Sequence, residues 1–386
     1  MFTFKALAAA LAVISIFGTT SAHPGERHSP SSVKREAERY REAHARAARA
    51  FSQIDQFPRA LELQERAVAR RFATWNALRA ERGIASNPSI EKRTKEDLDK
   101  YLAISHDVSD TGYTLDTPTE VIFGSNATAA LVQEAILGPY FASGELLRTD
   151  VTEGIAGVPL HLDIQFIDIN TMDAVEDLYV DIWQCNALGV YSGVALAGQA
   201  GLNTTWLRGF QVSNEEGVVE FDTIVPGHYA GRTHHIHILT TINSTMLPNN
   251  TYVPGITNHA GQFFFEQSLV DEVETLDPYN TNTQVLVKTA DDDIAQSVAT
   301  SVDDPLLQYV RLSDNLQDGL LAYITVGIDL KANHSDSYQP AAHWEAGGGV
   351  SLPGWVPSLP GGVTPTLPPG VPLPITTSAG TITSAT

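Results

Sequence analysis

Through the middle of the chain, apolar and polar residues alternate in short runs. Leu160, Leu162, Ile164 and Phe166 interleave with His161, Asp163 and Gln165, while Leu178, Val180 and Ile182 interleave with Tyr179, Asp181 and Trp183. Ile324, Val326 and Ile328 form a later run of the same kind. A period of two marks a strand with two distinct faces, and the Gly, Asn, Asp and Pro clusters between the runs supply turns. From about Val108 onward this pattern predicts a β-sandwich.

Upstream the period changes. Between Glu36 and Gly83 the chain is rich in Ala, Arg and Glu, and Leu61, Val68, Phe72, Trp75 and Leu78 fall near helical spacing, with Pro58 ahead and Gly83 as a stop. Two helices are expected there. Beyond Ala342, a Gly, Pro, Thr and Ser composition cannot bury enough apolar surface to fold. The predicted class is therefore mainly β: a β-sandwich core over 108–342, a helical arm or propeptide over 23–107 after a leader at 1–22, and a disordered tail over 343–386. No internal repeat is evident.

One strand carries candidate chemistry. Thr233 to Thr241 alternates, so His235 and His237 share one face while Ile236 and Ile238 share the other. His234 falls on the isoleucine side and reads as a hydrogen-bonded neighbour or a surface residue. An H-x-H pair alone is as compatible with a solvated strand face as with a metal. However, Leu239 stands where an HxHxD zinc hydrolase needs an acid, and the glutamate of double-stranded β-helix oxygenases is also missing. Instead, Tyr191 and Tyr229 precede the strand in turn-rich segments, which free an aromatic side chain to enter a site. Two imidazoles and two phenols suit ferric iron, because phenolate is a hard anionic donor and a trivalent cation ionises a phenol that otherwise titrates near pH 10.

Four ordered runs carry a resemblance: Asp181-Ile182-Trp183-Gln184-Cys185-Asn186-Ala187-Leu188-Gly189-Val190-Tyr191-Ser192-Gly193, Trp206 to Gln211, Gly217 to Tyr229, and Gly231-Arg232-Thr233-His234-His235-Ile236-His237. Over Thr152 to Leu330 the chain resembles the intradiol ring-cleavage dioxygenases, most of all their secreted fungal branch. The resemblance implies one Fe(III) per chain held by Tyr191, Tyr229, His235 and His237, with Tyr191 and His235 equatorial and Tyr229 and His237 axial. It also implies a catecholic substrate opened between its hydroxyls by O2 to a muconate-type product. Tyr229 would be a displaceable ligand that takes a substrate proton, Arg232 would face the substrate, and Gln262 would lie near the ring. Gln184 and Asn186 replace a His and an Asp of secreted relatives, and His234 stands where a smaller residue is common.

Composition narrows the setting. Lys5, the apolar run Ala6 to Phe17 and Thr20-Ser21-Ala22 have the build of a secretory signal, too short to span a bilayer. Sequons at Asn126, Asn203, Asn243, Asn249 and Asn333 agree with secretion. The net charge of -21 argues against a nucleic-acid partner. The single cysteine, Cys185, excludes an intrachain disulfide and reads as a buried thiol. Cleavage after Ala22 would expose His23, a potential copper ligand, but Pro24 and the dibasic pairs Lys34-Arg35 and Lys92-Arg93 disfavour that rival. The helical arm leaves four readings open: docking on the catalytic domain, homodimer formation, removal as a propeptide, or a solvated amphipathic arm. The alternative from another class is a noncatalytic extracellular β-sandwich that binds aromatic or cell-wall material.

Overall fold

The structure is a computed structural model, and it describes residues 49, 53–84, 140–299, 304–338, 340–345 and 348–352. The leader, His23, the start of the helical arm, the stretch 85–139 with Asn126, and the tail past residue 352 lie outside the described residues.

Strands form where the period-two runs stand. Pro159–Asp168 (β2), Val218–Ile224 (β5), Gln308–Arg311 (β10) and Leu320–Ile328 (β11) make one sheet in the order β10-β11-β2-β5. Tyr179–Trp183 (β3), Arg208–Val212 (β4), His235–Ile242 (β6) and Ile256–Phe264 (β9) make a second, ordered β4-β3-β6-β9. The first sheet is mixed, since β2 runs parallel to β11 and antiparallel to β5. The second is antiparallel throughout. Their facing surfaces form one core: Leu160, Leu162, Ile164 and Phe166 from β2 and Ala322, Ile324 and Val326 from β11 meet Val180, Ile182, Ile236, Ile238 and Phe263. This is the expected mainly-β sandwich.

The alternate residues point outward and are covered too. Pro58–Glu81 (α1) lies over the outer face of the first sheet, placing Trp75 against Val310, Leu312, Leu321 and Tyr323. Its buried positions Ala60, Leu63, Ala67, Arg71, Trp75 and Arg79 recur every three or four residues. Pro58 starts the helix, and Gly83, at φ 65°, follows its end as predicted. Among the described residues the arm thus supplies one long helix, and that helix is docked on the domain. Arg70 and Arg71 reach from it to the buried Asp163 of β2, with Arg70 Nε at 2.9 Å and Arg71 Nε at 3.0 Å. No helix among the described residues is long and apolar enough to cross a membrane.

Two small sheets complete the frame. Ala142–Ser143 (β1), Ala342–Glu345 (β12) and Gly348–Ser351 (β13) form one, and Thr245–Met246 (β7) pairs with Tyr252–Val253 (β8) in the other. Ordered structure therefore runs past Ala342, beyond the predicted tail boundary, because β12 pairs in parallel with β1. The short helices Gln267–Val273 (α2) and Asp293–Val298 (α3) follow β9. Asn203, Asn243, Asn249 and Asn333 are all exposed, as carbohydrate attachment requires.

Candidate metal centre

The outer face of the second sheet carries the site. Because Ile236 and Ile238 of β6 enter the central core, His235 and His237 must face the other way, and both are 1% exposed. Register fixes their neighbours. His237 pairs with Trp183 on one side and Gln262 on the other, and His235 pairs with Phe264. The Trp183 ring stacks on His237 at 4.9 Å and 7°, which fixes the imidazole plane.

Two loops bring the phenols over this face. Tyr191 follows the turn after β3, and Tyr229 follows the irregular Pro226-Gly227 stretch after β5. The loops cross so tightly that a Cβ on Gly189 would stand 2.2 Å from the His228 carbonyl oxygen, and one on Gly227 would stand 2.3 Å from that of Ala187. Gly189 also has φ 75°, open to glycine at no steric cost. Asn282 and Gln284 tie the crossing together: Asn282 Nδ2 donates to the carbonyls of Ala187 and His228, and Gln284 Nε2 donates to that of Leu188. The Cys185 thiol is buried beneath it, 3.4 Å from the Gly227 carbonyl, and is no part of the donor set.

The donors converge. His235 Nδ1 donates to the Thr233 carbonyl at 2.7 Å, so its Nε2 keeps a lone pair. The Tyr229 and Tyr191 hydroxyls lie 3.3 and 3.5 Å from that nitrogen. The rings of His235 and His237 meet edge to face at 4.9 Å. Burial pushes both imidazoles well below their ordinary pKa, with the Arg232 charge adding to the effect, and raises both phenols. All four side chains are therefore neutral at pH 7 unless a cation ionises the phenols. Ligands with bonds of about 2 Å to a common ion stand about 3 Å apart, so this oxygen and nitrogen set fits a hard, highly charged metal ion such as ferric iron.

Arg232 and Gln262 join the same group. Arg232 Nη1 lies 3.4 Å from both the Tyr229 oxygen and His235 Nε2, and Nη2 donates to Gln262 Oε1 at 2.6 Å. Its Nε donates to Asp292 Oδ2 at 2.8 Å, an ion pair with both partners buried rather than at the surface. Burial opposes the charge, but Asp292 outweighs it and holds the guanidinium pKa above its ordinary value. The predicted site residues Tyr191, Tyr229, Arg232, His235, His237 and Gln262 thus stand together.

Sequence reasoning missed four participants. Asp292 caps α3 through the amides of Ile294 and Ala295 while holding Arg232 and the Thr233 amide. An Asp ahead of a short helix was visible, but its distant partner was not. Tyr140 stacks on Tyr191 at 4.4 Å and meets Tyr229 edge-on at 6.4 Å. Trp183 was seen only as a strand residue. Glu274, which ends α2, takes His234 Nε2 at 2.7 Å and His228 Nδ1 at 2.8 Å. His234 is accordingly buried and partnered, not a surface residue.

No family model and no curated protein matches the chain. Solved structures do. One is an intradiol ring-cleavage dioxygenase from Tetranychus urticae, 27% identical over 54% of this chain and 98% of that one, at a TM-score of 0.45. A second is the dioxygenase domain of a dioxygenase and carbohydrate-binding protein fusion from Streptomyces sp. SirexAA-E, 21% identical over 52% and 98%, at 0.32. A third is 3-chlorocatechol 1,2-dioxygenase from Rhodococcus opacus 1CP, 19% identical over 52% and 74%, at 0.35.

Proposed function

We propose that this chain is a secreted non-haem iron dioxygenase that opens catechol-type rings between the two hydroxyls with O2, giving muconate-type products. The observation that carries the reading is the convergence of the Tyr191 and Tyr229 oxygens within 3.5 Å of one imidazole nitrogen, with His237 beside it. Those four side chains would hold Fe(III). Bound there, the ion would supply the Lewis acidity that favours the deprotonated catechol and accept the electron density that makes its ring reactive toward O2.

The chain's own residues define what the site does around the substrate. Tyr229, as phenolate, takes a catechol proton at its oxygen, where Arg232 Nη1 already stands to steady it. Arg232 cannot turn away, because Asp292 and Gln262 fix its other nitrogens. Its charge therefore stays aimed at the region where negative charge grows on the ring, preorganised rather than recruited. Trp183 and Tyr140 exclude water from the ligands by packing on His237 and Tyr191. The leader and the exposed sequons support secretion.

Iron content and the visible spectrum test the metal, since phenolate-to-iron charge transfer gives a red to brown band. Oxygen uptake across catechol, protocatechuate and hydroxyquinol, with product masses, tests the reaction and picks the substrate. Colourless, iron-free, well-folded protein would overturn the reading in favour of an aromatic-binding β-sandwich.

A further inference from the structure

The outer face of the second sheet buries a further charge, on a residue the proposed reaction does not use. Register places Arg208 of β4 in a single cross-strand row with Trp183, His237 and Gln262, so its side chain rises from the face that bears the proposed ligands. The side chain is fully buried. Its Nε donates to the Ser192 carbonyl at 2.9 Å and to the Ser192 hydroxyl at 3.0 Å, and that hydroxyl donates in turn to the Trp206 carbonyl at 2.6 Å. Gly193 follows at φ 72°, and a Cβ there would stand 3.0 Å from Nε. The chain that continues from Tyr191 is therefore folded around this guanidinium.

The far end of Arg208 is not bonded in the same way. Its counter-charge, the buried Glu145, stands 3.7 Å from Nη1. That is beyond a hydrogen bond, and among the described residues neither Nη nor either Glu145 oxygen makes one. Arg232, by contrast, closes on Asp292 at 2.8 Å. Buried polar groups are ordinarily hydrogen-bonded, and departures from that rule are retained where function requires them. Burial works against the Arg208 charge, and the groups that oppose this loss are Glu145 and then Tyr191. Glu145 also ties Arg208 to the cover of the centre. It belongs to the segment whose Tyr140 stacks on Tyr191 at 4.4 Å and whose Phe141 packs on Trp183 at 5.2 Å.

We propose, on the iron reading above, that Arg208 is a positioning residue of the centre: it pins Tyr191 through Ser192 and holds a fixed positive charge at the root of that ring. Arg232 holds the corresponding charge 3.4 Å from the Tyr229 oxygen. A guanidinium suits both tasks, since it stays charged when buried and its planar fork fixes its direction. Nε is bonded to the residue after Tyr191, whereas an ion held by Tyr191 lies at the hydroxyl end of the ring. The charge is therefore nearer the phenol than the ion. Phenolate-to-iron charge transfer moves an electron away from it, so the charge raises the energy of the visible band.

The test compares the full-length wild type with Arg208→Gln, Arg208→Lys and Glu145→Gln, each loaded with iron. Absorbance spectra are taken at pH 8, where the Glu145 carboxyl, lifted by burial to about 7, is ionised. Arg208→Gln should move the visible band to longer wavelength, and Glu145→Gln, which strips the opposing charge, to shorter. Arg208→Lys keeps the charge but not the fork on Ser192, so the band should stay in place while iron binds about 10–100-fold more weakly in a chelator titration. Glu145→Gln keeps its shape and leaves no lone buried carboxylate, so it tests the charge even where Arg208→Gln fails to fold. A merely loosened turn would weaken the band in both charge variants and would not shift it in opposite directions. No shift in Glu145→Gln, a shift in the same direction as Arg208→Gln, or wild-type iron affinity in Arg208→Lys would overturn the role of Arg208 and leave the dioxygenase reading intact. Colourless, iron-free wild type would overturn both.

Discussion

The outer faces of the two sheets both bury polar side chains, but they do so by opposite rules. On the first sheet Asp163 meets Arg70 and Arg71 at 2.9 and 3.0 Å, and His161 meets Asp222 at 2.8 Å, so each charge has its counter-charge. Burial opposes the Asp163 charge, yet Arg71 and Arg70 outweigh it and hold the carboxyl below its usual range. On the second sheet Tyr191, Tyr229, His235 and His237 are all neutral donors of electron pairs. The nearby cations are already matched, Arg232 by Asp292 and Arg208 by Glu145 at 3.7 Å. The first face matches its charges within the chain. The second would be completed by the proposed ion.

The largest break in this comparison is expected at His235. His235→Ala should lose iron, colour and turnover together, whereas His234→Ala, one residue along but on the other strand face, should keep iron. Elemental analysis of both variants checks this, and equal loss would contradict the strand phasing seen in the core. Next comes Tyr229→Phe, which removes the proton-accepting oxygen but not its ring packing. Turnover should fall by about 10²–10⁴-fold, with a weakened visible band, in steady-state oxygen uptake and absorbance spectra.

The first face should respond in stability instead. Asp163→Asn leaves Arg71 buried beside a neutral partner, at a cost of about 3–5 kcal/mol, read as a lower urea midpoint. Turnover per iron in the folded fraction should stay at the wild-type level. Arg232→Gln, made together with Asp292→Asn so that no lone carboxylate is buried, should lower turnover by about 10²–10³-fold. Iron content should be unchanged, since neither residue is a proposed ligand.

These contrasts also explain what was legible in the sequence. The strands were legible because each outward residue alternates with a core residue, and the His235 and His237 face followed from Ile236 and Ile238 alone. The phenols were legible as candidates because turns precede them. The Arg70, Arg71 and Asp163 cluster was not, because Asp163 lies more than ninety positions from the two arginines and nothing local encodes the docking of α1. Asp292 and Glu274 escaped for the same reason: each acts on the site across tens of residues. The strands past Ala342 escaped because β13 opens on Gly348 and Gly349, and backbone pairing, β12 with β1 and β13 with β12, not apolar content, forms them.

The smallest expected effect is a pH dependence on the first face. Burial works against the charged form of His161, but the Asp222 carboxylate, with Glu220 beyond it, outweighs that and lifts the ring to about 9. The folded state therefore holds a proton that the unfolded chain releases near pH 6.5. Stability from this pair is fully present below that pH and is lost as pH rises through about 9. Asp222 is half exposed, with 48% of its side chain in solvent, so screening limits the contribution to roughly 1 kcal/mol. Unfolding free energies of wild type and His161→Gln from urea titration should differ by that amount at pH 6 and converge by pH 10. A gap that persists at pH 10 would mean that packing, not the ion pair, accounts for His161, and that the first face is not governed by matched charge.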